Sequence, residues 1–383
     1  MNITFTKNKI NVFIPALLVI IALQPYPVWG NTQLANYVSG ILMLIMVFRH
    51  IKITLTNLKI SIFFILCNLY FFFGGTTYSS FSPIFSLPLL FLIIPKSFQL
   101  EIFEKFIKII SVIFALGFIT YTLRLFINLP AYEVSALNSL KSDNYSVYLF
   151  DVTLPQTIFP KFFSIFDENG VVGTLCALLI SYQKLNINSF NKGVILLAGL
   201  LSFSLAFYIV LFINLIYNFN KRFLIIVPII LILASFIPKD NILYVYIFDR
   251  VTINEDGFIE DNRTGKDFDL HYDYFLKKGG NDLFYGKGIG ADKKDEIDKF
   301  GSSSYKVLVY RHGIFGCLLF LLFFIYLTSK ISPTTRGFFF LTIFTILLFQ
   351  RINLFLYYNI VIYVGGLLMI NYNQKTLKKS NIN

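Results

Sequence analysis

Charge is scarce in this chain. Only 14% of its 383 residues are Asp, Glu, Lys or Arg, where soluble domains carry roughly 25%. Apolar residues, the aromatics included, make up 56%, and the mean hydropathy is +0.68. That balance excludes an ordinary soluble domain. It predicts an all-α polytopic membrane protein, a single helical bundle over residues 1–383. Cysteine is scarce as well. Cys67, Cys176 and Cys317 all lie in apolar stretches, which excludes a disulfide framework and metal-ligand spacing. A nucleotide-binding signature is missing: Gly286-Lys287-Gly288-Ile289-Gly290 has no preceding strand and no Lys-Ser/Thr ending. The run is either a turn where a loop returns to the membrane or a close backbone approach to a ligand. Asp267 and Asp269 have the spacing of a carboxylate metal pair, but so acidic a segment offers that spacing by chance. Neither a metal nor a cofactor is expected. No small-x-small cleavage site follows the first apolar run, so that run is expected to remain as the first helix.

Apolar runs fall at 10–24, 32–48, 58–74, 81–95, 106–128, 169–183, 194–217, 223–238, 305–328, 337–350 and 353–371. Each predicts a helix, because lipid offers no partners to unpaired backbone. At about 20 residues per crossing, the run 81–95 is short and must be tilted, kinked or re-entrant. Basic residues set the orientation. The N-terminus, the connectors 49–59, 96–108, 184–192 and 221–222, the link 330–336 and the tail hold 17 basic residues against Glu101 and Glu104. Segments 129–168 and 239–304 hold 19 of the 21 acids. Both termini are therefore expected in the cytoplasm, with 129–168 and the larger 239–304 as outer loops. The net charge of +12 belongs to the cytoplasmic face and gives no reason to invoke nucleic acid. Eleven crossings would put the tail and the large loop on the wrong sides. A break at Leu201-Ser202-Phe203-Ser204 restores the parity. It divides 194–217 into halves of about 12 residues that rise about 18 Å each, too little to cross about 30 Å. A hairpin of half-helices is expected, giving about 11–12 helices. One long tilted helix, with 81–95 not spanning, is the rival.

Several polar groups stand out. Arg250 and Arg263 lie in the large loop, and arginine forks suit phosphate or carboxylate; ordinary loop salt bridges are the alternative. Arg124 and Arg351 lie at or near bilayer depth, where arginine lines a cavity or snorkels. Lys306 and Arg311 sit at the outer boundary. In Lys161-Phe-Phe-Ser164-Ile-Phe166-Asp167-Glu168-Asn169-Gly170 the acids either meet the positive end of a helix dipole or supply a general base facing an outer cavity. His271 in the loop and His312 beside Arg311 are interfacial residues or proton carriers.

The order of these features resembles the bacterial O-antigen polymerase (Wzy) family, within the O-antigen polymerase and ligase group. The matching pieces are SIFDENG at 164–170, LSFS at 201–204, Arg250 and Arg263 in the large loop, GKGIG at 286–290, HGIFG at 312–316 and FQRINLF at 349–355. The family segment commonly reads Glu-Pro where Glu168 here precedes Asn169, and an arginine often stands where Lys161 does. Ligases of the group carry a histidine in a region that here holds Ser302 to Ser304; His312 nearby keeps that alternative open, and a polysaccharide flippase is a third. The resemblance implies a glycosyltransferase of the bacterial inner membrane, moving a glycan between undecaprenyl-diphosphate carriers at the periplasmic face. It implies Glu168, Asp167 or His271 as base. Arg250, Arg263, Arg351, Arg124, Arg311, His312 and Lys161 are then candidates to hold the diphosphate. Membrane lipids, a chain-length regulator and a flippase of the same pathway are the implied partners.

Overall fold

A computed structural model describes residues 12–29, 32–50, 54–73, 83–135, 144–154, 161–183, 189–218, 266–288, 305–350 and 357–380. These are mostly helical: α1 Phe13–Ala22, α2 Thr32–His50, α3 Leu55–Phe73, α4 Pro83–Ile93, α5 Lys96–Phe126, α6 Asn169–Ser181, α7 Phe190–Leu201, α8 Leu205–Tyr217, α9 Lys266–Lys278, α10 Gly280–Tyr285, α11 Tyr305–Ile331, α12 Thr335–Gln350 and α13 Tyr357–Ser380. The chain forms two compact units. The first holds Met1–Ala22, Asn31–Phe106 and Asn262–Asn383; the second holds Leu23–Gly30 and Ile107–Asp261.

Among the described residues, α5 and α11 are long and apolar enough to cross a membrane by length and composition, with mean hydropathies of 2.0 and 2.2 over their best windows. Both carry outward apolar rows at helical spacing: Val112, Leu116, Ile119 and Leu123 on α5, and Phe315, Leu318, Leu322 and Ile325 on α11 are all exposed. Helix α5 also extends the expected run backwards through the connector 96–108. Glu101 with Lys105 and Glu104 with Lys108 stand four residues apart, the spacing that supports an exposed helix. The short run 81–95 yields an eleven-residue helix, α4, with Pro88 inside it, about 16 Å long.

The described residues are mostly helical, as an all-α chain should be, with one addition. Segment 129–168 carries a small antiparallel sheet, β1 Tyr132–Ser135, β2 Asn144–Val147 and β3 Val152–Thr153, in the order β1-β2-β3. Tyr132 pairs with Val147, and Val147 with Val152. Tyr145, Val147, Val152 and Phe163 form its buried face, covered by Trp29. Alternation of Tyr145 and Val147 with polar Asn144 and Ser146 is the strand period that charge counting overlooked.

Helix ends inside the units are closed by amide side chains of neighbouring helices. Asn57 of α3 donates to the Ile93 and Ile94 carbonyls at the end of α4 (3.2 and 2.7 Å), and Gln99 donates to that of Phe91 at 2.8 Å. Asn214 of α8 reaches the Ile180 carbonyl of α6 at 2.9 Å, and Asn371 of α13 the Ile331 carbonyl of α11 at 2.8 Å. The last carbonyls of a helix have no partner within it. Asn57→Leu strands two of them and is expected to cost about 1–3 kcal/mol, read as a lower midpoint of thermal unfolding in detergent; an unchanged midpoint would show those carbonyls satisfied otherwise.

Candidate functional site

In the first unit the two glycine motifs meet. Helix α11 breaks at Gly313, whose φ of 65° and ψ of −179° are not helical. The turn after α10 sits on that break. The Lys287 N–H donates to the Tyr310 carbonyl and the Gly288 N–H to that of Arg311, both at 2.9 Å. A Cβ on Gly286 would stand 2.4 Å from the Arg311 carbonyl oxygen, and one on Gly313 would stand 2.2 Å from that of Phe284. Glycine is needed here because backbone meets backbone: the close approach foreseen for GKGIG is to the chain itself. The Tyr70 hydroxyl of α3 lies 3.0 Å from the Tyr285 carbonyl and 2.9 Å from that of His312, serving both sides of the junction. Sequence inspection missed Tyr70, since nothing in an apolar helix marks one tyrosine among 23.

The junction carries helix α9. Phe268, Tyr272 and Phe275 repeat at intervals of four and three and bury against Val307 and Tyr310. The Lys306 ammonium pairs with Asp269 at 2.7 Å. Burial pushes the Tyr272 phenol up to about 12, so it is a neutral packing group. On the outward side Leu270, His271, Tyr274 and Lys287 line an open pocket of about 370 Å³. The Lys287 ammonium lies 5.1 Å from the centre of the Tyr310 ring. His271 is exposed at this pocket. His312 is buried, its ring 4.7 Å from that of Phe71 in an edge contact, and Arg311 is half-buried.

In the second unit SIFDENG meets LSFS. The Phe162 N–H donates to the Leu201 carbonyl at 3.0 Å, and the Asn169 amide donates to that of Ser202 at 2.6 Å. The expected break is present, with α7 and α8 on either side of Ser202–Ser204. A Cβ on Gly199 would fall 2.0 Å from the Phe207 ring, and the Tyr208 hydroxyl reaches the Leu200 carbonyl at 2.7 Å. Eight residues of straight helix span about 12 Å, so these contacts require the chain to bend at the break; a hairpin is one way to do so. Glu168 is the N-cap of α6 but makes no side-chain capping bond. Asp167 and Glu168 are both half-buried, and Lys161 is buried.

The same unit holds an ion pair that sequence reasoning only half found. Arg124 Nη2 lies 3.2 Å from Asp151 Oδ2, with side-chain exposures of 10% and 0%. The guanidinium carbon stands 5.5 Å from the ring centre of Tyr121 and 5.3 Å from that of Tyr148. Arg124 therefore faces an internal carboxylate, where snorkelling or a cavity was expected. Burial pushes the Asp151 carboxyl up to about 7, against the pull of Arg124 and of the main-chain N–H groups of Ser164, Val152 and Phe163. Among the described residues neither carboxylate oxygen has a hydrogen bond of good geometry, so these groups act mainly through their charge and dipole. Asp151 was overlooked as one acid among five in its segment. The flanking Leu149-Phe150 and Val152 were the signal that it would be buried.

Each unit thus gathers its own candidates: His271, Arg311 and His312 in the first, and Arg124, Lys161, Asp167 and Glu168 in the second. Arg250, Arg263 and Arg351 lie outside the described residues. Comparison with protein-family models, with curated proteins and with solved structures finds no match.

Proposed function

We propose that the chain is a multi-pass protein of the bacterial inner membrane that polymerises surface polysaccharide, an O-antigen polymerase with cytoplasmic termini and 239–304 as a large periplasmic loop. Lipid would cover the outward apolar rows of α5 and α11, which water would not tolerate over such an area. The observation that carries the proposal is pairwise meeting of motifs that the sequence singles out: Gly286 of GKGIG on Gly313 of HGIFG, and Asn169 of SIFDENG on Ser202 of LSFS. That residues far apart in the chain are brought together by the fold supports reading these motifs as parts of one arrangement in each unit.

In the transfer, an acceptor hydroxyl attacks the anomeric carbon of a glycan held on undecaprenyl diphosphate. The bond from that carbon to the diphosphate oxygen breaks, and the lipid diphosphate leaves with the electron pair. Glu168 takes the hydroxyl proton, with Asp167 beside it; His271 is the alternative base. Arg250, Arg263 and Arg351 stabilise the charge growing on the diphosphate. The pocket at His271, Tyr274 and Lys287 offers an aromatic face and a cation to a sugar. A ligase is less favoured, because His312, the histidine on which it rested, is buried against Phe71. A chain-length regulator and a flippase would act on the same lipid-linked glycan.

Deletion with glycan analysis separates the classes. Loss of a polymerase leaves lipopolysaccharide with one repeat unit; bare core marks a ligase, and a repeat unit stranded in the cytoplasm marks a flippase. Arg250→Ala and Arg263→Ala, expressed at the normal level, are each expected to lower polymer formation by about 10²-fold. Full-length polymer from both would refute the assignment of the arginines.

A further inference from the structure

Helix α11 sets its own level in a membrane. Residues 313–329 hold no charged side chain, with Arg311 before them and Lys330 after. The straight part beyond the Gly313 break runs from Ile314 to Ile331. It rises about 27 Å, close to a bilayer's hydrocarbon thickness of about 30 Å. The break therefore stands at one edge of that hydrocarbon, and helix α10 is fastened at the same level. The Tyr70 hydroxyl bridges the Tyr285 and His312 carbonyls at 3.0 and 2.9 Å. The Phe315 ring lies 5.7 Å from that of Phe284, 6.2 Å from that of Tyr285 and 5.0 Å from that of Tyr70, between centres. Phe284 and Tyr285 nevertheless leave 43% and 56% of their surface exposed on the protein. Four aromatic rings thus gather where the outward apolar row of α11 begins. Tyrosine in particular favours the layer between hydrocarbon and water, its ring in the one and its hydroxyl in the other.

We propose that Phe284 and Tyr285 anchor helix α10 in the interfacial layer of the membrane, with lipid as the partner that covers them. The proposal rests on the multi-pass reading only in that α11 must cross the bilayer; the glycosyl transfer plays no part in it. Continuity chooses the partner. Through Phe315 the two side chains extend the exposed row Leu318, Leu322 and Ile325, which lipid would cover. Charge agrees with that choice: the one acid of α10, Asp282, is paired with Lys278 at 3.4 Å, so the helix offers no single-signed patch to a charged protein. The consequence lies in helix α9. It packs on Tyr310, five residues from Phe315 and so at most about 18 Å away along the chain. The anchor holds the pocket at His271, Tyr274 and Lys287 beside the lipid headgroups, within reach of a ligand that travels in the membrane.

Two measurements on the full-length protein in phospholipid vesicles test this. The first uses new tryptophans, read against the emission of Trp29, the only tryptophan of the native chain. Phe284→Trp and Tyr285→Trp are expected to be quenched at least about twofold more by lipids brominated near the headgroup than by lipids brominated at the chain ends, as an interfacial site requires. Leu322→Trp, nine residues below the break and about 14 Å deeper, should reverse that order. If Leu322→Trp is quenched by lipid while the other two respond to acrylamide alone, the anchor is wrong and the crossing stands. If Leu322→Trp also escapes the brominated lipids, α11 does not cross at this level and the anchor falls with it. The second measurement uses the native sequence, because tryptophan itself seeks the interface. Tyr285 and Tyr305 are similarly exposed on the protein, at 56% and 50%. Tyr305, however, stands next to the Lys306–Asp269 ion pair, on the water side of the break. Hydroxyl radicals generated in the suspension are expected to oxidise Tyr285 at least about fivefold more slowly than Tyr305. Equal rates overturn the proposal.

Discussion

Gly286→Ala and Gly313→Ala are each expected to abolish polymer formation, through loss of the junction that carries helix α9. Two costs combine at each position. Gly286 has φ 81° and ψ 168°, and Gly313 has φ 65° and ψ −179°, a region that only glycine occupies readily and that costs other residues about 1–3 kcal/mol. A Cβ then meets backbone, 2.4 Å from the Arg311 oxygen for Gly286 and 2.2 Å from the Phe284 oxygen for Gly313. Backbone cannot rotate away as a side chain can, and overpacking adds about 1–3 kcal/mol. The sum, about 2–6 kcal/mol, exceeds what the two hydrogen bonds donated by the Lys287 and Gly288 N–H groups return, at about 1 kcal/mol each. Gly280 supplies the control. Its φ is 74°, but a Cβ there meets nothing within 4 Å. Gly280→Ala therefore carries the conformational cost alone. Thermal unfolding and proteolysis within 266–288 are the readouts; equal losses from Gly280→Ala and Gly286→Ala would show that the junction contributes no stability.

The pieces of this junction were legible in the sequence, and their union was not. Two glycine runs stand out in any apolar chain, but spacing does not say that Gly286 lies on Gly313, because the pairing is made by backbone groups that every residue carries. The serine break between α7 and α8 was legible for a physical reason: charge parity asks for an interruption near 201–204, and the helix is interrupted there. The small sheet is hard to read from sequence because strands of two to four residues leave a weak period, and because the acids of 129–168 dominate the composition around Tyr145, Val147 and Val152. Asp151 escaped for a related reason. In a charge count it is equivalent to Glu133, yet one is fully buried beside Arg124 and the other belongs to a strand whose face is open. Burial of a polar residue is a property of the tertiary fold, and only its apolar neighbours hint at it.

Gly173→Ala is the second large effect expected, and unlike the first it should be reversible by design. Gly173 lies one turn into α6, below Glu168 and Asn169. A Cβ there would fall 2.1 Å from the Ser204 Cβ, 2.5 Å from its Oγ and 2.9 Å from the Ser202 Oγ. All three obstacles are side-chain atoms. Alanine must push α6 away from the break between α7 and α8, at about 1–3 kcal/mol. It should also strain the 2.6 Å bond from the Asn169 amide to the Ser202 carbonyl, which ties the start of α6, and so Glu168, to that break. Ser204→Gly removes the two nearest obstacles. Ser204 is the N-cap of α8 but makes no side-chain capping bond, and glycine at an N-cap costs only a few tenths of a kcal/mol. The single change Ser204→Gly should therefore be nearly silent. Gly173→Ala should lower both unfolding temperature and polymer length, and the double variant should recover most of both, with a coupling of about 0.5–3 kcal/mol. The Ser202 hydroxyl limits the recovery, because it donates to the Gly199 carbonyl at 2.7 Å and cannot turn aside without losing that bond. Stability restored without polymer length would locate the damage in the placement of Glu168 and Asn169, whereas an additive double variant would mean that α6 does not rest on Ser204 at all.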